Sequence, residues 1–234
     1  MNRAWPASER EVIQVVCHEL RSTLSPLRVW ARLLCRGDVT PEQTRLVGEV
    51  LERGMQVLTR LAGDLAMLET AEDDDIPMAS GPLDLRETVL AVTCVMTPAA
   101  EAKGIVLAVD VPAEAVTVVG DQVRLGQVMA NLVDNAVKFT DAPGRITVRV
   151  RRDSSEAQVS VEDTGAGIDP DFLPHVFERF AQEMPGNYGR PGRGLGLHLV
   201  KRLVEHHRGT IVAASQGPGC GSRFVVTLPV SPAA

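Results

Sequence analysis

Asn131 and Asn135 are four residues apart, and Lys138 lies three further on. On a helix this spacing puts all three along one face. Two amides and an ammonium on one stripe can hold a metal ion and phosphate oxygens. Downstream, Asp163-Thr164-Gly165-Ala166-Gly167 sets a carboxylate before two glycines. Such a carboxylate can accept a hydrogen bond from an amino group while backbone without Cβ atoms comes close to the same ligand. Phe177-Glu178-Arg179-Phe180 then leads into a glycine- and proline-rich stretch, residues 181–193, which reads as a mobile lid. Finally, Gly192-Arg193-Gly194-Leu195-Gly196-Leu197 opens a predicted helix, where free backbone N–H groups make a phosphate site.

Each stretch alone also fits a blander reading: a polar helix face for the asparagines, an ordinary turn for the glycines. Their order and spacing together carry the chemistry. The glycines at 192–196 do not form a dinucleotide-binding fingerprint, and no G-x-x-x-x-G-K-[ST] phosphate loop occurs.

The elements that must position these residues follow from apolar periodicity. Residues 122–139 form a strong predicted helix, 85–103 and 195–207 two more. Strands are predicted at 105–111, 115–119, 145–152, 157–162, 210–215 and 223–229. This order predicts an α/β sandwich over residues 83–234, with helices on one face of a mostly antiparallel sheet. His206 and His207, at the end of the third helix, are expected to be cations suited to the helix dipole.

Residues 73–82 combine an acidic run with two prolines and a glycine and read as a linker. Before it, residues 1–72 carry two helical patterns. Ile13, Cys17, Leu20, Leu24, Leu27, Ala31 and Leu34 make one seam; Val47, Leu51, Gly54, Leu58, Leu61, Leu65 and Leu68 make the other. Gly37 suits the C-cap of the first helix, and Thr40, Pro41 and Gln43 an N-cap, first-turn proline and capping box for the second. Two such helices bury little alone. A homodimer pairing two hairpins into a four-helix bundle would bury both seams. The overall fold class is thus α+β. His18 lies beside seam residue Cys17 and is expected to face away from the seam.

The bulk composition limits the alternatives. The chain has 234 residues and a formal net charge of -6, a poor balance for binding nucleic acid. Its four cysteines, Cys17, Cys35, Cys94 and Cys220, form no C-x-x-C pair and read as reduced cytosolic thiols. No apolar run reaches the ~20 residues needed to span a bilayer, so the expected location is cytoplasmic with no membrane segment.

Through these motifs, residues 83–234 resemble the ATP-binding domain of sensor histidine kinases, within the family shared with gyrase, Hsp90 and MutL. The four stretches are similar to its N, G1, F and G2 boxes, and Gly209, Gly219, Gly221 and Ser222 to its closing glycine-rich region. His18-Glu19-Leu20-Arg21-Ser22-Thr23-Leu24 resembles the H-box of the dimerisation and phosphotransfer hairpin. The resemblance implies ATP and Mg²⁺ as cofactors. It implies that Asp163 binds the adenine amine while Gly165 and Gly167 let the chain pass the base. Asn135 would coordinate Mg²⁺, with Asn131 and Lys138 near the phosphates and Gly192, Gly194, Leu195 and Gly196 cradling them. His18 would attack the γ-phosphate and Glu19 would take or orient a proton. The phosphoryl group would pass to an aspartate of a response-regulator receiver domain.

Two features depart from the resemblance. Thr23 stands at the usual proline position and Pro26 lies three residues on, which moves the expected helix kink from Glu19 toward Ser22. Ser22 replaces the threonine or asparagine that positions water for phosphatase activity. Hydrolysing relatives carry a glutamate where this chain has Asn131, and an amide cannot serve as base for water. The competing readings are a signalling scaffold that binds nucleotide with weak or no phosphotransfer, and a serine-directed anti-sigma kinase, which lacks an H-box hairpin.

Overall fold

The computed structural model describes residues 24–34, 40, 43–44, 46–48, 50–51, 54, 78–179, 181, 194 and 196–230. The chain divides into two compact units, Met1–Asp75 and Ile76–Ala234.

In the first unit, residues 24–34 are helical, and so are the described residues from 43 to 54. The expected capping box is present. The Thr40 N–H donates to Gln43 Oε1 at 2.9 Å, and the Gln43 N–H donates back to Thr40 Oγ1 at 3.3 Å. The seam residues Leu27 and Gly54 meet: a Cβ on Gly54 would lie 2.7 Å from both Leu27 δ-carbons. Val47 is buried. His18, Glu19, Ser22 and Thr23 lie outside the described residues.

The second unit is built from β1 (Gly81–Asp84), α1 (Leu85–Ala102), β2 (Ile105–Asp110), β3 (Thr117–Gly120), α2 (Gln122–Phe139), β4 (Gly144–Arg152), β5 (Glu156–Asp163), a 3-10 turn (Leu173–His175), α3 (Gly196–His206), β6 (Thr210–Ala214) and β7 (Ser222–Pro229). Five strands form a sheet in the order β2-β4-β5-β7-β6. In this sheet of described residues β2 and β4 pair in parallel, and β4 with β5, β5 with β7 and β6 with β7 pair antiparallel. β1 and β3 make a separate antiparallel pair. Strand alternation sorts the two faces of the sheet. Ile146, Val148 and Val150 of β4, Val159 and Val161 of β5, and Phe224, Val226 and Leu228 of β7 are buried. They share the core with Leu125, Val128, Met129, Leu132 and Val133 of α2 and Leu199, Val200 and Leu203 of α3. The opposite face carries Arg149, whose guanidinium bonds Glu162 at 2.8 Å and approaches Asp110 at 3.6 Å. The three helices therefore cover one face, with α2 packed against both α1 and α3.

β1 takes up Gly81 and Pro82, which by sequence belong to the linker. Four residues containing glycine and proline carry no strand signal of their own. They are extended because they pair with β3, from Gly81 opposite Gly120 to Asp84 opposite Thr117.

α2 begins at a crowded cap. The Asp121 carboxylate accepts from the N–H groups of Val123 at 2.9 Å, Arg124 at 3.1 Å and Ala79 at 2.9 Å. These donors, the Ala79 N–H foremost, hold its pKa below the usual carboxylate value against the opposing effect of burial. The N–H of Asp121 itself donates to His207 Nε2 at 3.0 Å, while His207 Nδ1 lies 2.6 Å from the Leu203 carbonyl. This corrects the expectation for His207. A ring nitrogen that accepts an N–H carries no proton, so His207 is a buried neutral Nδ1–H imidazole and not a cation at a helix end. Gly120 is glycine because of it: a Cβ there would stand 2.6 Å from the His207 ring.

Asp121→Ala is expected to lower stability at pH 7 by about 1–2 kcal/mol, read by urea denaturation. Because the folded-state pKa of Asp121 lies below its unfolded value of 3.8, its contribution is complete above about pH 4 and is lost as pH falls through the folded value. The acid side of the stability profile should accordingly be shallower in Asp121→Asn than in the wild type.

Candidate functional site

Three groups of residues converge between α2, the end of β5 and the start of α3. On α2, Asn131, Asn135 and Lys138 lie on a half-buried stripe beside the fully buried one. The Asn131 Nδ2 donates to the Gln127 carbonyl at 2.9 Å. Its Oδ1 faces the first residue of α3, lying 3.2 Å from where a Cβ on Gly196 would be. Lys138 Nζ sits 4.6 Å from the centroid of the Phe139 ring. The side-chain amide of half-buried Asn135 has no hydrogen bond among the described residues.

Asp163 is the last residue of β5 and is 7% exposed. Its carboxylate is fixed from two sides. Oδ1 accepts from the Gly165 N–H at 2.8 Å, and Oδ2 from the Ser222 hydroxyl at 2.5 Å. Ser222 stands directly across the β5–β7 ladder from Asp163. A charged oxygen held this way keeps one rotamer and can still accept from a ligand, since each carboxylate oxygen has two lone pairs.

The loop after Asp163 packs closely against backbone from two other segments. The Ala166 N–H donates to the Phe139 carbonyl at the end of α2, at 3.0 Å. A Cβ at Gly165 would lie 2.4 Å from that same oxygen. Gly167 has φ +71, and a Cβ there would lie 2.1 Å from the Gly217 carbonyl. The loop between β6 and β7 closes over the other side. The Gly219 N–H donates to Ala166 O at 2.6 Å and the Gly221 N–H to Gly165 O at 3.1 Å. Ser215 Oγ accepts from the Ile168 N–H at 3.0 Å and donates to Gly221 O at 2.7 Å. The glycines thus permit three backbone segments to lie in contact around one carboxylate.

Phe177 and His198 fasten the segment before the expected lid. The Phe177 ring meets Phe224 edge to face, with centroids 6.2 Å apart. Its carbonyl lies 3.1 Å from His198 Nδ1 on α3. Burial, reinforced by nearby Arg179, Arg202 and Lys201, pushes the His198 pKa down, opposed by the bond to Phe177. His198 is therefore neutral at pH 7 and donates from Nδ1. Gly194 has φ +66, a conformation that favours glycine. Gly192, Leu195 and most of the expected lid lie outside the described residues.

Sequence reasoning places Asn131, Asn135, Lys138, Asp163, Gly165, Gly167 and Gly196 in one site, and the fold brings the segments bearing them together. It misses the support. The bond from Ser222 to Asp163 follows from strand register, which the sequence pattern does not give. Ser215 has no signal beyond its place before a glycine-rich turn.

The donor set suits a magnesium ion better than a metal held by protein alone. No group of three or more His, Cys, Asp or Glu ligands occurs among the described residues. Asn135 offers an amide oxygen that no other described group uses, and Mg²⁺ commonly takes one or two protein oxygens and completes its shell with phosphates and water.

Residues 120–232 match the family described as histidine kinase-, DNA gyrase B- and HSP90-like ATPase. The chain is 32% identical over 228 residues to the sensor histidine kinase GacS of Pseudomonas protegens, a match covering 93% of this chain and 24% of that protein. The solved structure of full-length ShkA in complex with AMPPNP is similar with a TM-score of 0.71 at 30% identity, over 97% of this chain and 47% of that one. That of the mycobacterial sensor histidine kinase MprB is similar with a TM-score of 0.56 at 31% identity, over 66% of this chain and 100% of that one. The segment 120–232 is therefore a domain of the histidine kinase-, gyrase- and HSP90-like ATPase type. GacS and MprB are sensor histidine kinases, and the chain spans about a quarter of the length of the curated relatives it matches. No helix among the described residues is long and apolar enough to cross a membrane.

Gly221 has φ +69, and a Cβ there would lie 2.0 Å from the Asp163 carbonyl. Gly221→Ala should therefore destabilise the domain by roughly 2 kcal/mol or more through the left-handed backbone and the clash together. Thermal unfolding of the variant against the wild type checks this.

Proposed function

We propose that the chain is the catalytic core of an ATP-dependent protein histidine kinase of a two-component system. It autophosphorylates His18 and passes the phosphoryl group to an aspartate on a response-regulator receiver domain. The observation that carries this reading is the buried Asp163 carboxylate, oriented by Ser222 and Gly165 at the mouth of a glycine loop. Its place in a domain of the ATPase family supports an adenine nucleotide as ligand. So does the ATP analogue AMPPNP, with which the similar ShkA protein was solved in complex.

The roles follow from the chemistry of each group. Asp163 accepts a hydrogen bond from the exocyclic amine of adenine, while Gly165 and Gly167 let the backbone approach the base. Asn135 offers its oxygen to Mg²⁺. When bound, that ion supplies charge neutralisation at the phosphate oxygens. Asn131 and Lys138 lie toward the phosphates, and the N–H groups around Gly192, Gly194, Leu195 and Gly196 hold them at the start of α3. His18 contributes an imidazole, a group that in its unperturbed form is roughly three-quarters neutral at pH 7. Its nitrogen lone pair forms the bond to the γ-phosphorus as the bond to the bridging oxygen breaks and ADP leaves. Glu19 takes or orients the proton lost from the imidazolium. The enzyme's main task is then positioning and charge neutralisation.

Asn131 sets the direction of transfer. Its Nδ2 is committed to Gln127 O, and an amide cannot deprotonate water. Slow hydrolysis leaves the γ-phosphate for a protein acceptor. The seams of the first unit support a homodimer that forms a four-helix bundle, and the expected compartment is the cytoplasm. Ser22 leaves a hydroxyl for phosphatase chemistry.

Incubation of the full chain with γ-labelled ATP and Mg²⁺ should give an acid-labile label that His18→Ala lacks. An unlabelled wild type, or a labelled His18→Ala, would sink the reading. Asp163→Asn should weaken ATP binding by about 30- to 100-fold in calorimetry, the effect of removing one buried charge-assisted acceptor.

A further inference from the structure

The last four carbonyls of a helix lack intrahelical partners. In α2 these belong to Ala136, Val137, Lys138 and Phe139, and each has a partner. Ala136 O accepts from the Thr140 N–H at 3.0 Å, and Phe139 O from the Ala166 N–H at 3.0 Å. The other two accept from one ammonium. Lys103 Nζ lies 2.6 Å from Val137 O, 3.3 Å from Lys138 O and 3.3 Å from Thr140 O. Lys103 is the C-cap residue of α1. It crosses from the end of one helix to the end of the next, matching three N–H groups to three carbonyls. Its charge also sits at the negative pole of α2.

We infer that Lys103 is a positioning residue of the adenine site. It gathers the carbonyls on either side of Phe139 and so fixes the direction of the Phe139 carbonyl between them. Among the described residues that carbonyl makes the one hydrogen bond from α2 to the Asp163–Gly167 loop in which both partners are backbone, and its surroundings leave no slack. Gly165 already approaches it too closely for any Cβ. A rotation of the α2 terminus would shift Ala166 and Gly165, and with Gly165 the N–H that orients Asp163 Oδ1. On this reading Lys103 contacts neither base nor phosphate. It acts through Phe139, and the inference rests on the adenine-site reading of Asp163.

The test uses the full chain as wild type, Lys103→Met and Lys103→Arg. Amide hydrogen exchange is followed at Ala166 and Gly165, with Val159 and Val161 as references in β5. Calorimetry gives affinities for adenosine, ADP and ATP with Mg²⁺. Lys103→Met should exchange about 10-fold faster at Ala166 with β5 unchanged, and should bind adenosine and ATP weaker by a similar factor of about 10, the scale of losing a charge-assisted contact. Lys103→Arg should recover most of both. Unchanged Ala166 exchange in Lys103→Met overturns the proposal. So does loss of ATP affinity with adenosine affinity retained, which would put the lysine on the phosphates. Faster exchange throughout β5 also overturns it, by making the role one of general stability. A wild type that binds none of the three ligands overturns the adenine-site reading and this proposal together. A wild type that binds, beside a Lys103→Met that binds equally well, overturns this proposal alone.

Discussion

The second unit depends on how α2 is held at its two ends. Both ends of a helix expose unpaired polar groups, and both ends of this one are met by opposite charge. At the N-terminus the Asp121 carboxylate takes three N–H groups, one of them from Ala79 on the incoming chain. At the C-terminus the Lys103 ammonium takes three carbonyl oxygens. Between these anchors one face of the helix is fully buried against the sheet and the flanking helices. The adjoining stripe, carrying Asn131, Asn135 and Lys138, inherits its position from that burial. A polar site on a helix is only as well placed as the apolar face behind it.

The carboxylate side of the site is organised differently. Asp163 ends a central strand, and the segments around it are loops that regular pairing cannot hold. Cβ-free residues and backbone hydrogen bonds hold them instead. Gly165, Gly167 and Gly221 each sit where a methyl group would meet a carbonyl oxygen. The loop and its clasp contact through main chain and the Ser215 hydroxyl, around the Asp163 side chain.

Much of the second unit is legible in the sequence. The span expected for α2 is the span it occupies, because its apolar period is regular. β4, β5 and β7 alternate clearly, and their expected ends fall within a residue of those observed. β1 is not legible: glycine and proline read as linker, and the strand exists through β3, whose first residue lies beyond the whole of α1 and β2. His207 misleads because a histidine at a helix end looks like a cation until Asp121 is seen donating to it from elsewhere in the chain. Lys103 gives no motif. A lysine after a helix is ordinary, and its three acceptors lie on another element. What pattern reading misses in each case is a contact between distant segments, fixed by packing.

The pairing of Asp163 with Ser222 joins residues 59 apart in sequence across the β5–β7 ladder. Contacts of such separation are costly to close and form late relative to local helices. Until β7 docks, Asp163 lacks the hydroxyl that fixes its second oxygen, and the glycine loop lacks its clasp. A ligand gripped by that carboxylate consequently discriminates between the finished domain and its nearly folded precursors. By mass action any such ligand draws the population toward the native register.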